Sequence, residues 1–166
     1  NNQVLSLIAN NYRDQNKCNK AIRIYDKLIV QSENNYNYNY LKAICLDKLN
    51  KWEDSKKILI KLISENPNDA YALNYLSYSM AIRNEDLIKA KKLIKKALEI
   101  EKNNGFFLDT LGWIQFKLND VDKAVRSLQL AIELEPTNSE IIDHLGDIYY
   151  KIGRKKEDIY EWKRAL

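Results

Sequence analysis

Residues 105–138 read GFFLDTLGWIQFKLNDVDKAVRSLQLAIELEPTN. Two short amphipathic patterns lie inside this stretch; they meet at Asn119-Asp120, and Pro136 stops the second. Asn is one of the few residues that tolerates the left-handed backbone with which many helices end. Proline has no backbone N–H and cannot continue a helix. The stretch therefore predicts two helices, a tight reversal between them and an enforced stop.

Outward from this stretch, the chain repeats it. With Leu111-Gly112 as the anchor, repeats fall at 2–35, 36–69, 70–104, 105–138 and 139–166. Their eighth positions hold Ala9, Ala43, Ser77, Gly112 and Gly146, all small. Their twentieth positions hold Ala21, Ser55, Ala90, Ala124 and then Asp158. Small residues at these two points let antiparallel helices approach closely. The twenty-fourth positions hold Tyr25, Leu59, Ile94, Leu128 and Trp162, large residues that fill the space this leaves. The fifteenth positions hold Asn16, Asn50, Asn84, Asn119 and Gly153, where each first helix must end and the chain reverse. Pro67 and Pro136 share the thirty-second position. A fixed period of this length is the mark of a helical-repeat architecture.

Composition agrees and removes other classes. The chain has 166 residues with only 4 Gly and 2 Pro, too few for a turn-rich sandwich or barrel. Leu, Ile, Lys, Glu and Ala favour helices. No apolar run of about 18 residues could span a membrane, and no basic-then-apolar start resembles a signal peptide. The ends read as cuts within a longer protein, and the richness in Asn, Lys, Ile and Tyr suggests an AT-rich genome. The net charge is only +4, which makes no basic stripe. Two cysteines, Cys18 and Cys45, are neither a disulfide framework nor a metal site.

These residues carry a resemblance to the tetratricopeptide repeat family. The family's pattern runs Trp or Leu, then Leu-Gly, an aromatic, Gly, Ala, an aromatic, Ala and Pro. The fourth repeat matches it with Leu108, Leu111, Gly112, Ala124, Leu128, Ala131 and Pro136. The first matches with Leu5, Ile8, Ala9, Tyr12, Ala21 and Tyr25, and the fifth with Leu145, Gly146, Tyr149, Gly153, Trp162 and Ala165. Departures are Lys42 in place of Leu, expected to loosen or shift α-helical packing in the second repeat, and Asp158 in place of a small residue. An extra residue in the third repeat should make Ala81–Glu85 bulge, and Glu33 and Lys102 replace Pro. The resemblance implies an all-α fold: one domain over 1–166, a right-handed superhelical solenoid of stacked antiparallel helix pairs. First helices would line a concave groove and second helices the convex back, with stability coming from stacked neighbours.

In this family, repeat positions two, five, nine, twelve and thirteen face the groove. They fall on Gln3, Ser6, Asn10, Arg13 and Asp14 in the first repeat, and on Asn37, Tyr40 and Ile44 in the second. Tyr71, Asn74, Tyr78, Ala81 and Ile82 follow in the third, then Phe106, Asp109, Trp113, Phe116 and Lys117 in the fourth. Glu140, Asp143, Asp147, Tyr150 and Lys151 complete the fifth. The middle of such a groove is aromatic and its C-terminal end acidic. Aromatics in an open groove anchor peptides, so the binding set is Tyr40, Tyr71, Asn74, Tyr78, Phe106, Asp109, Trp113, Phe116, Asp143, Asp147 and Tyr150. The bland reading of Trp113 and Phe116 is packing against neighbouring helices. The family's carboxylate clamp for chaperone tails is missing, since only Asn10 fits it when counted from the first repeat.

Chemistry is sparse. His144 lies beside Asp143 and Asp147, but a metal needs three or four converging ligands. An exposed or hydrogen-bonded groove histidine is the better expectation. No nucleophile elbow, phosphate loop, HExxH or CxxC motif occurs, so no enzyme, cofactor or metal is expected. Cys18 and Cys45 read as buried or half-buried thiols with nothing electropositive and specific around them. Lys89, Lys91, Lys92, Lys95, Lys96 and Lys102 read as a solvated convex face rather than a nucleic-acid patch. The expected function is a scaffold that binds a protein or peptide partner, with no nucleic acid and no membrane insertion. Alternatives are self-assembly into a homo-oligomer through the C-terminal repeat at Trp162, or service to an enzyme elsewhere in a longer chain. A soluble bacterial domain, cytoplasmic or on the periplasmic side of the envelope, fits this reading.

Overall fold

The computed structural model describes residues 1–32 and 35–153. These residues form nine α-helices: α1 (Asn2–Asp14), α2 (Cys18–Gln31), α3 (Tyr36–Lys48), α4 (Trp52–Glu65), α5 (Ala70–Ile82), α6 (Leu87–Ile100), α7 (Gly105–Lys117), α8 (Val121–Leu134) and α9 (Ser139–Lys151). The expectations placed on Glu33, Asp158, Trp162 and Ala165 lie outside the described residues. The all-α, repeated architecture read from the sequence is the one observed.

Each first helix ends as its Asn predicts. Asn16, Asn50, Asn84 and Asn119 have φ of 57, 59, 53 and 65°, and Gly153 has 77°. The left-handed residue's own N–H and that of the next residue turn back onto the helix there. In the first turn, Asn16 N–H donates to Arg13 O at 2.9 Å and Lys17 N–H to Tyr12 O at 2.8 Å. In the fourth, Asn119 and Asp120 repeat the pair on Phe116 and Gln115, both at 2.9 Å. Carbonyls that the helix leaves orphaned are thereby satisfied. Some helix starts are capped by side chains as well. Asn104 accepts from Phe107 N, and Asn138 from Glu140 N and Ile141 N.

The extra residue of the third repeat is accommodated after Asn84, not across Ala81–Glu85. Ala81 and Ile82 remain helical, and the insertion is absorbed at Asp86, which is left-handed (φ 35°) and caps α6 by accepting from Lys89 N at 3.0 Å. Nor does Lys42 loosen α3. Its ammonium lies 2.6 Å from Asp26 Oδ1 on α2, and Leu41 and Ala43 beside it stay buried.

The chain divides into two compact units, 1–72 and 73–166. In the first, α1 packs on α2, α2 on α3 and α3 on α4. Its core gathers Ala9, Cys18, Ala21, Tyr25, Leu28, Leu41 and Cys45. In the second, α7 packs on α6 and α8, and α9 packs on α8 and α7. Its core is Ala124, Leu128, Ala131, Ile132, Ile141, Leu145, Ile148 and Tyr149. The knob positions Tyr25, Leu59, Ile94 and Leu128 are all 0% exposed, opposite small residues that are equally buried. Where a serine takes a small position, its hydroxyl is satisfied across the hairpin. Ser55 Oγ donates to Ala43 O at 2.8 Å, and Ser77 Oγ to Ala90 O at 2.9 Å.

Candidate functional site

In the second unit, α7 and α9 are neighbouring first helices, and their contact builds a polar–aromatic cluster. Asp109 and Trp113 stand one turn apart on α7, so their side chains share a face. His144 on α9 reaches both. Its Nδ1 lies 2.8 Å from Asp109 Oδ1, and its ring stacks on Trp113 with centroids 4.7 Å apart and planes 23° from parallel. Phe116 adds a tilted contact to Trp113 at 5.7 Å. Two ammonium groups close the cluster. Lys117 Nζ is 5.3 Å from the Trp113 centroid, and Lys151 Nζ is 5.1 Å from that of Phe116. Both distances fall within cation–π range.

The electrostatics follow from burial. Asp109 is only 7% exposed, so its carboxylate requires a partner, and the His144 N–H supplies one. For His144, burial pushes the pKa down. The hydrogen bond and charge of Asp109, with the fields of Glu140 and Asp147, outweigh that and hold it above its ordinary 6.5. His144 is thus a hydrogen-bonded histidine, its ring engaged by Asp109 and Trp113.

Around this cluster the expected binding residues divide. Phe106 is 51% exposed and Tyr150 80%, so both present aromatic surface to solvent. Asp143 and Asp147 are exposed on α9. Trp113 and Phe116 are half-buried, and Phe116 also packs against the core of this unit, which realises part of the packing alternative. Asp109 is turned inward to His144 rather than left open. On α5, Tyr78 and Asn74 are half-buried, and Asn74 Oδ1 is a buried acceptor with no hydrogen-bond partner. In the first unit, Tyr71 is 55% exposed. Tyr40 is half-buried, its phenol pushed up to about 12 by burial and then by the charge of Asp69.

His144, Lys117 and Lys151 were left out of the binding set, although they complete the aromatic cluster. The available signal was the adjacency of position five in one repeat to position six in the next. Among the described residues, no group of three or more His, Cys, Asp or Glu is placed to hold a metal ion. No described helix is long and apolar enough to cross a membrane.

Comparison with known proteins agrees with the repeat. Family models described as "Tetratricopeptide repeat" match residues 39–69 and 107–138. A curated relative, the TPR repeat-containing protein PA4667 of Pseudomonas aeruginosa, is 30% identical over 98 residues. That match covers 59% of this chain but 17% of the relative, so the chain spans about a sixth of its length. Among solved structures, the thermophilic TPR protein TTC0263 of Thermus thermophilus superposes with a TM-score of 0.84 at 20% identity, over 98% of this chain and 90% of that one. MamA of Desulfovibrio magneticus does so with a TM-score of 0.77 at 15% identity, over 99% and 96%. The left-handed Asn turns, the buried small–large packing and these matches agree: the chain carries tetratricopeptide repeats at 39–69 and 107–138 and has the all-α repeat fold of tetratricopeptide-repeat proteins, a generic scaffold for protein interaction.

Proposed function

We propose that the α7–α9 face binds an extended or helical segment of a partner protein, one with apolar anchors and a basic residue. The observation that carries this reading is the preorganised Trp113. Its ring is held by His144 and Phe116 yet remains half-exposed, with Phe106 and Tyr150 standing open on the same two helices. An aromatic held in one orientation loses little entropy when a ligand docks on it. The exposed Asp143 and Asp147 favour a cation on the partner.

The test is selection of peptides from a random library on the intact chain, followed by titration of the selected peptides against variants. Trp113→Ala and Tyr78→Ala should each weaken binding by about tenfold or more, the loss expected of an anchor residue. Phe106→Ala, which removes an exposed ring, should weaken binding without any loss of helicity by circular dichroism. Normal affinity in all three variants would sink the proposal. If Asp143 and Asp147 pair with a basic residue, affinity should fall with added salt. A salt-independent affinity would remove that part of the reading.

A further inference from the structure

Lys117 and Lys151 are the last residues of α7 and α9, and their ammonium groups come to one place. Lys117 Nζ lies 5.3 Å and Lys151 Nζ 6.0 Å from the Trp113 ring centroid, and Lys151 Nζ is 5.1 Å from that of Phe116. Two positive charges from two helices thus flank one aromatic pair. A lysine in a last turn complements the peptide dipoles of its helix, but that does not require both ammoniums to meet the same rings. Neither charge is neutralised among the described residues. Asp147 stands four residues before Lys151, in the order that favours an i,i+4 pair. That pair does not form: the ion pairs among the described residues include neither lysine, and Asp143 and Asp147 stay exposed. The buried carboxylate nearby, Asp109, is already engaged by His144. The face is therefore dipolar. Asp143 and Asp147 precede Lys151 by about 12 and 6 Å along α9, at 1.5 Å per residue. Trp113 joins the two ends, touching His144 next to Asp143 and both lysines.

We infer that Lys117 and Lys151 receive an acidic side chain, Asp or Glu, of the partner segment, about 6–12 Å from the basic residue that meets Asp143 and Asp147. This seating rests on the α7–α9 docking proposed above and adds the charge order of its occupant. Charge complementarity carries it. An anion arriving beside Trp113 meets two cations that have no counter-charge among the described residues. An ammonium held against a ring has already given up water and rotamer freedom on that side, so less is lost when the anion docks. Lys117 is also half-buried, which reduces the screening of its charge by solvent. A segment with the opposite charge order would set its base against the lysines and its acid against the aspartates, like charges at both ends. In an extended segment the separation corresponds to about two to four residues; in a helix it is about one to two turns. The charge order fixes the direction in which the segment lies, which aromatic anchors alone do not.

The probes are the peptides selected on the intact chain. Each is paired with a copy in which Asp or Glu is replaced by Asn or Gln, and with a copy in which its acidic and basic residues are exchanged. The selected sequences should carry an acid and a base at a recurring spacing. Neutralising the peptide's acid should weaken binding to the wild type by about tenfold, and exchanging the charges should weaken it further. In the double variant Lys117→Gln/Lys151→Gln, the acidic peptide and its neutral copy should bind alike. Lys117→Arg/Lys151→Arg should keep the preference for the acid, with circular dichroism checking that both variants are folded. The wild-type comparison of the three peptides stands even if a variant folds poorly. The seating is overturned if peptides that depend on Trp113 show no enriched acid or bind as well once neutralised. It is equally overturned if the acid keeps its advantage in the Gln double variant. The docking reading survives each of those results. Peptides indifferent to Trp113→Ala, Tyr78→Ala and Phe106→Ala, or a selection that yields no binder, remove the docking reading and this seating with it.

Discussion

A single methyl group added at Gly112 would lie 2.8 Å from Leu128 Cγ and 3.2 Å from the carbonyl oxygen of Ala124. The first neighbour is a core side chain and the second is backbone, so neither yields cheaply. Gly112→Ala should therefore cost about 1–3 kcal/mol by overpacking, despite the gain in helix propensity that alanine brings. Urea unfolding of the pair of proteins measures it, and an unchanged midpoint would mean that the α7–α8 contact can open. The Asp109–His144 pair gives a second prediction at this scale. The folded state holds the His144 pKa above its ordinary 6.5, so it favours the charged ring. That stabilisation is fully present below the unfolded value and is lost as pH rises through the raised folded value. Wild-type stability should accordingly fall as pH climbs from about 6 towards 8. Asp109→Asn should cost about 1–3 kcal/mol at the acid end and flatten the profile. A parallel pH profile in the variant would assign the slope to other groups.

At the scale of the element, the turns were legible because their cause is local. A left-handed residue is needed where each first helix ends, and Asn or Gly at one register announces it. Asn119 has φ of 65° and its N–H closes the turn on Phe116 O. Asn119→Val should lose about 1–2 kcal/mol, the cost of forcing a side chain with a branched Cβ into that region. Asn119→Gly should be neutral or stabilising. If Val is tolerated as well as Gly in urea unfolding, the turn does not depend on this conformation. The N-cap is a milder case: Asn104→Ala removes the bond to Phe107 N and should cost about 1 kcal/mol. Where the sequence misplaced detail, the physical reason is also local. The extra residue of the third repeat was expected to disturb the end of α5. The backbone instead absorbs it after the Asn turn, because Asp86 tolerates φ of 35° and its carboxylate caps α6.

For the whole molecule, stability in repeats of this kind comes from each hairpin and its nearest neighbours. Tyr25, 0% exposed and donating its hydroxyl to Asn10 Oδ1 at 2.8 Å, sits in the core of the first unit. Tyr25→Ala should cost about 3–5 kcal/mol, in the range of large aromatic truncations. By hydrogen exchange the lost protection should concentrate in α1–α3 and leave α7–α9 much less affected; uniform loss would mean the chain unfolds as one cooperative block. The sequence alone determined the helices, their reversals and the small–large packing within each hairpin. These depend on backbone preferences and steric fit inside one repeat, and they recur at a fixed period. Only the tertiary structure decided which polar side chains meet. Asp109 finds His144 across a separation of 35 residues, and Lys42 finds Asp26. Each of those meetings requires two helices from successive repeats to be packed at a particular depth and rotation. No single repeat encodes that depth and rotation, because they are set by how the side chains of both helices fill the space between them.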